Sequence, residues 1–271
     1  MCRWMAYVGA PILIEDLLLQ TGHSLIDQSL NAQEVQTTTN GDGFGIGWYG
    51  ERPFPGVFKE VNPAWNDPNL RAVAEQTRSG LFFAHIRSAT GTPVQRTNSH
   101  PFSYGKWLFQ HNGDIPHFER IHRALLSRVD DELFTSIKGS TDSEVMFVLS
   151  LTLGMQDDPV AGVARMLELV ERERERAGIA EPITFTSAIS DGARVWAMRY
   201  SSDRRSKTLY YTTDPSALAE LDGTYESLPG SPVVFASEPL DDLRDRWTSA
   251  PESSVIVGRR GELEVSSLPG L

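Results

Sequence analysis

Short apolar runs closed by glycine or polar residues dominate the first half of the chain. RWMAYVG from Arg3, GFGIGWYG from Gly43, GVFKEV from Gly56, GLFFAHIR from Gly80 and KWLFQHNG from Lys106 each predict a β-strand. The pattern then changes period. DSEVMFVLSLTLG after Thr141 and VAGVARMLELVERERERAG after Pro159 predict helices, and the second should end at Gly178 as a C-terminal cap. Its ERERER run offers opposite charges at i,i+3 and reads as a solvated face. Strand patterns return in ITFTSAIS, ARVWAMRY, TLYYTT, PVVFASE and SSVIVG. Strands, helices, then strands again suggest an α+β fold with helices segregated to the sheet faces, rather than a βαβ repeat. In LFFAHIR, Leu81 and Phe83 share one face while Phe82 and Ala84 share the other, so that strand should be covered on both sides.

Composition narrows the function classes. The chain has 271 residues, 40% hydrophobic and 23% charged, enough for a sizeable core. Its formal net charge of −11 argues against a nucleic-acid or anionic-membrane partner, which needs a basic footprint. The one compact basic cluster, SDRRSK near 201–207, reads as a solvated turn. No apolar stretch approaches a membrane span, and Glu15 and Asp16 interrupt the N-terminal apolar run, so no signal peptide is expected and the protein reads as cytoplasmic. One cysteine, Cys2, excludes an intramolecular disulfide framework and a thiolate zinc site.

Several stretches carry candidate chemistry, each beside a plainer alternative. Gly41, Gly43, Gly45 and Gly47 recur at a period of two, without forming a dinucleotide or phosphate fingerprint. On a strand they would share a face open to a ligand or to a close-packed neighbour. Arg87, at a strand end before Ser88 and Thr90, is either an exposed charge or a guanidinium fork for a carboxylate. His85 on the same face reads as a half-buried structural histidine. Asn112-Gly113 fits a two-residue hairpin turn, or an oxyanion hole built from the Asn112 amide and the Gly113 N–H. Thr141 and Glu144 have capping-box spacing; Asp142 between them suits a helix start or an ammonium group. His111, His117 and His122 are not spaced as metal ligands, so no metal or other cofactor is expected.

Taken in order, Cys2 behind Met1, DGFGIGWY (42–49), AHIRSATG (84–91), NSHPF (98–102), HNGDI (111–115) and STDSE (140–144) resemble the class II glutamine amidotransferases of the N-terminal nucleophile hydrolase superfamily. The match spans roughly the first half of the chain. It implies a four-layer αββα sandwich. It also implies removal of Met1, leaving Cys2 as nucleophile with its own α-amino group as base, and an oxyanion hole of Asn112 and Gly113. By the same resemblance Arg87 and Thr90 bind the α-carboxylate of a glutamyl substrate, Asp142 binds its α-ammonium, and His100 lies near the site. Biosynthetic members carry a second domain that uses the released ammonia. This sequence reads as a single domain over 1–271, similar to stand-alone γ-glutamyl amidohydrolases such as that of ergothioneine biosynthesis. The expected substrate is a small γ-glutamyl amide. The alternatives are a glutaminase subunit feeding a synthetase partner and a silent glutamyl-binding module; a homo-oligomer fits any of the three.

Overall fold

The computed structural model describes residues 2–30, 40–89, 91–214, 232–242 and 244–270. Two antiparallel sheets lie face to face between two layers of helices, the expected four-layer arrangement. The first sheet is built from β1 (Arg3–Leu13), β2 (Phe44–Trp48), β3 (Gly56–Glu60), β4 (Arg78–Ile86), β9 (Tyr210–Thr212), β10 (Val233–Ala236) and β11 (Thr248–Ser249). Its spatial order is β11-β9-β10-β1-β4-β2-β3. The second contains β5 (Phe102–Tyr104), β6 (Trp107–Asp114), β7 (Thr184–Ser190), β8 (Arg194–Ser201), β12 (Ser254–Arg259) and β13 (Glu262–Ser267), in the order β13-β12-β8-β7-β6-β5. Helices α1 (Glu15–Leu18), α2 (Leu25–Leu30) and α3 (Pro68–Gln76) cover the first sheet. Helices α4 (Phe118–Leu126), α5 (Asp131–Phe134), α6 (Asp142–Thr152) and α7 (Pro159–Arg176) cover the second.

The alternation of each strand explains why three cores form. In β1, Trp4, Ala6 and Val8 enter the core between the sheets, while Met5 and Tyr7 face the helices. In β4, Leu81 and Phe83 go between the sheets and Phe82 and Ala84 go to the helices, as the sequence predicts. Both strands are therefore shielded from water on both faces. At about 25 cal/mol per Å² of apolar surface, that double burial is the main force fixing their register.

Every strand pattern read from the sequence is present, as are both long helices. The helices before α6 were the omission: α1, α2 and α5 hold only 4, 6 and 4 residues, too short to display a helical period, whereas α3 and α4 hold 9 each and α4 does carry Ile121 and Leu125 at helical spacing. One local signal was available, since Asp67 accepts from Leu70 N at 2.9 Å and Pro68 opens α3. The glycine run also differs from expectation. Only Gly45 and Gly47 lie on β2; Gly43 has φ +114° and Gly41 also precedes the strand. A Cβ at Gly47 would lie 2.8 Å from Pro101 and 3.0 Å from Leu108 of the second sheet. Those two glycines serve close sheet-to-sheet packing rather than a ligand.

Candidate active site

Three element ends bring the candidate residues together. The β1–β4 ladder pairs Arg3 with Ile86, which sets Cys2 beside the residues following β4. There Ser88 N donates to Cys2 Sγ at 3.4 Å, and the thiol in turn donates to Ser88 O at 3.6 Å. Burial raises the Cys2 pKa above its ordinary value, against the opposing pull of the Ser88 backbone and the Arg87 charge. The resting thiol therefore keeps its proton at neutral pH.

Arg87 is buried, not an exposed strand-end charge. Its Nη2 donates to Thr92 Oγ1 at 2.7 Å, and the Ala89 N–H of the same loop donates to Asp42 Oδ2 at 2.8 Å. Burial lowers the Arg87 pKa, yet a guanidinium stays charged in proteins. Among the described residues it forms no ion pair. Thr90, its expected companion, lies outside the described residues; Thr92, two positions along the same loop, is the hydroxyl seen on the guanidinium.

Asn112 and Gly113 sit inside β6, paired with Thr186 and Phe185 of β7, so they are not a hairpin turn. A Cβ at Gly113 would collide with Thr184 O and lie 2.6 Å from His111 Nε2, which accounts for glycine there. Gly113 lines the cavity, whereas Asn112 is buried behind its surface on the opposite face of β6.

Asp142 opens α6. Thr141 caps the helix by accepting from Glu144 N at 3.2 Å, but Glu144 does not return the bond as a capping box would. Its carboxylate accepts instead from Lys138 N and Gly139 N, at 2.9 and 2.6 Å. Asp142 accepts from Ile115 N at 2.9 Å and from Ser143 N at 2.7 Å. Burial raises its pKa and these backbone donors oppose the rise. Like Arg87, Asp142 has no ion-pair partner among the described residues. One cavity thus holds a cation and an anion, each short of its counter-charge.

Cys2, Arg87, His100, Gly113 and Asp142 all line this cavity, whose volume is about 590 Å³. Asn98 ties its rim: Oδ1 accepts from Ser140 N at 2.8 Å, and Nδ2 donates to Pro93 O at 3.0 Å. Sequence reasoning missed Asn98, Asp42 and Thr92, although each falls within or beside a stretch it singled out. Three histidines surround the site. The His100 ring stacks on His85 at 4.2 Å, and neither His100 nitrogen has a hydrogen-bond partner among the described residues. His85 is fully buried rather than half-buried, and its Nε2 lies 3.1 Å from His111 O. His111 Nε2 faces Thr184 O at 3.4 Å, and its Nδ1 lies 2.9 Å from Ser143 Oγ. A carbonyl only accepts, so Nε2 carries the proton, while the one Ser143 hydroxyl proton is shared between His111 Nδ1 and Asp142 Oδ1 at 3.2 Å. Burial pushes His85 down to about 3 and His111 to about 4, and His100 lies well below the ordinary imidazole value. All three are neutral at pH 7. No group of metal-binding side chains occurs among the described residues, and no described helix is long and apolar enough to cross a membrane.

Comparisons with known proteins bear on the family and the fold. The sequence model for class II glutamine amidotransferases matches residues 19–269. The chain is 34% identical to the probable glutamine amidotransferase DUG3 of Saccharomyces cerevisiae, over 95% of this chain and 81% of that protein. It is 28% identical to the gamma-glutamyl-hercynylcysteine sulfoxide hydrolase of Mycolicibacterium smegmatis, over 99% of this chain and all of the relative. Among solved structures, a glutamine aminotransferase class-II domain protein from Silicibacter pomeroyi superposes with TM-score 0.75 at 32% identity, covering 98% of this chain and 99% of that one.

Proposed function

The chain belongs to the class II glutamine amidotransferases, and on that footing we propose that it hydrolyses a γ-glutamyl amide by acyl transfer to Cys2. One observation carries the reading: Cys2, the Arg87 cation and the Asp142 anion, drawn from three separate elements, face a single cavity. A nucleophile flanked by a cation and an anion, neither ion-paired among the described residues, matches the zwitterionic head of a glutamyl group. Arg87, with Thr90, takes the α-carboxylate and Asp142 takes the α-ammonium. His100 lines the same cavity, and burial suppresses its basicity too far for it to serve as the base.

The chemistry follows from the state of the thiol. Removal of Met1 leaves Cys2 with a free α-amine of pKa about 7.7–8.0, of which about a tenth is neutral at pH 7. Moving the proton from a thiol of pKa about 8.5 to that amine costs only about 1 kcal/mol before burial is counted. The thiolate attacks the γ-carbonyl, and the resulting oxyanion is held by the Gly113 N–H at the cavity wall together with the Asn112 amide, which turns from its buried place behind that wall to reach it. The C–N bond then breaks, and the departing amine takes the proton from the α-ammonium. Water attacks the thioester, giving its proton to the same amine, and the Cys2 thiolate leaves and is reprotonated as glutamate is released.

Beyond the glutamyl end, the cavity continues along Pro116, His117, Phe118, Glu119 and His122. Phe118 and His122 place their rings 4.5 Å apart there. About 590 Å³ is in the range that takes a drug-sized ligand, more than an amino acid alone requires. The substrate is accordingly a γ-glutamyl conjugate of a bulky amine, with sulfur- or ring-bearing amines best matched to the Phe118–His122 pair. The experiment is a kcat/KM panel of glutamine against γ-glutamyl conjugates, with intact-mass analysis of untagged protein. A conjugate should exceed glutamine, and the mature chain should begin at Cys2. Glutamine as best substrate, stimulated further by a co-purifying synthetase, would replace this reading with a partner-fed glutaminase. Full activity with Met1 retained would refute the N-terminal amine as base.

A further inference from the structure

Cys2 precedes the first ladder pair of β1, so it receives no strand hydrogen bond of its own. A terminal residue whose amine must stay free for proton transfer can be held only through its side chain and its carbonyl. The carbonyl is taken by Arg3, whose Nη1 donates to Cys2 O at 3.1 Å. Arg3 is 2% exposed, and its Nε donates to Glu238 Oε2 at 2.9 Å. Glu238 is 1% exposed, and its second oxygen lies 2.9 Å from His23 Nε2. Gln28 of α2 locks the far side, with Nε2 donating to His23 O at 3.1 Å and to Pro239 O at 3.2 Å. Next along the chain, Trp4 N donates to Ser237 Oγ at 2.9 Å, and Ser237 N donates to Trp4 O at 3.0 Å.

Stability gives this cluster little reason to exist. A buried ion pair loses much of its attraction to desolvation, and apolar residues of similar volume often replace one at no cost. Arg3 Nη2 is moreover buried with no hydrogen-bond partner among the described residues, a further cost. What the cluster does is bring a rigid donor to the one backbone atom of Cys2 that chemistry leaves available. We propose that Arg3, braced by Glu238 and His23, is a positioning residue for the nucleophile, fixing the Cys2 peptide so that thiol and α-amine hold their orientation toward the bound carbonyl. The inference rests on the reading of Cys2 as nucleophile.

The test uses the full-length mature protein, with γ-glutamyl-p-nitroanilide as substrate and 6-diazo-5-oxo-L-norleucine as covalent probe. Arg3→Lys, Arg3→Met and the pair Arg3→Met/Glu238→Leu are compared by melting temperature, kcat and KM. Arg3→Lys and Arg3→Met should each lose about tenfold to a hundredfold in kcat, the worth of a hydrogen bond from a charged donor, with KM unchanged because Arg87 and Asp142 are intact. The paired variant, which removes the Arg3–Glu238 ion pair as a unit, should regain melting temperature without regaining kcat. Wild-type kcat in Arg3→Lys, or kcat recovering together with melting temperature in the paired variant, overturns the positioning role. Absence of probe on Cys2 of the wild-type protein overturns instead the assignment of the nucleophile, whatever the Arg3 variants do.

Discussion

At the residue scale, the proposed acyl transfer separates groups that would act on the transition state from groups that would grip the substrate. Asn112 belongs to the first kind. Removing one oxyanion donor typically costs about 10²–10³ in kcat, so Asn112→Ala should fall in that range with KM little changed. Asn112 lies inside β6 and not at a turn, so near-normal kcat in this variant would leave its side chain a packing role only. Asp142 belongs to the second kind. Asp142→Asn removes the charge and keeps an acceptor for only one of the two backbone donors, Ile115 N and Ser143 N, which bind different oxygens. A charge-assisted hydrogen bond is worth about 1.5–3 kcal/mol, so KM should rise by roughly tenfold to a hundredfold. Steady-state kinetics with a melting curve would check both. An unchanged KM would leave Asp142 as a helix-start residue alone.

At the element scale, the best-specified piece is α7. Asp158 Oδ1 accepts from Val160 N at 3.1 Å and Ala161 N at 3.0 Å, and Pro159 occupies the first helical position. At the other end Gly178 has φ +64°, and Ile179 N and Gly178 N return to Arg174 O and Glu175 O, closing a Schellman motif. The charged run inside the helix is only partly solvated. Glu173 is buried, and Glu171 accepts from Tyr200 Oη at 2.9 Å while pairing with Arg174 at 2.7 Å. The sequence pattern reported the i,i+3 pairs correctly; it could not report that β8 supplies a tyrosine to the same carboxylate. Because α7 does not line the cavity, Asp158→Ala should cost about 1 kcal/mol of stability and leave kcat/KM unchanged. Denaturant unfolding beside the activity assay checks this; a fall in kcat/KM would mean that α7 shapes the site through α6.

At the scale of the whole molecule, three buried imidazoles predict acid sensitivity. His85 and His111 are held to about 3 and about 4, mainly by burial, with the Arg87 and Lys59 charges adding to the effect at His85. The unfolded chain takes up protons near pH 6.5 while the folded protein does not. Their neutral state therefore stabilises the fold fully above about pH 6.5. That stability is lost as the pH falls toward the folded values, by about 1.4 kcal/mol per pH unit for each histidine. Unfolding free energy should drop by about 2 kcal/mol per histidine between pH 7 and pH 5. The slope should shrink by about one proton in His111→Asn. A flat profile over that interval would show that the imidazoles are charged or exposed in solution.

The sequence by itself determined ten of the strands and the two long helices; the family resemblance, rather than any local pattern, pointed to Cys2, Arg87, His100, Gly113 and Asp142, which line the cavity. The strands and helices could be read because strand alternation and cap chemistry are local, written within a few residues of one another. The short helices α1 and α2 left no such mark, since one or two turns cannot display a period. Tertiary structure alone decided that Asn112-Gly113 is strand rather than turn, because the pairing with β7 fixes it from more than seventy residues away. It alone decided that His85, His100 and His111 are neutral, since their pKa values depend on burial between elements distant in the chain. And it alone joined Arg3 to Glu238 across 235 positions, because a hydrogen bond has a fixed reach in space and none along the sequence.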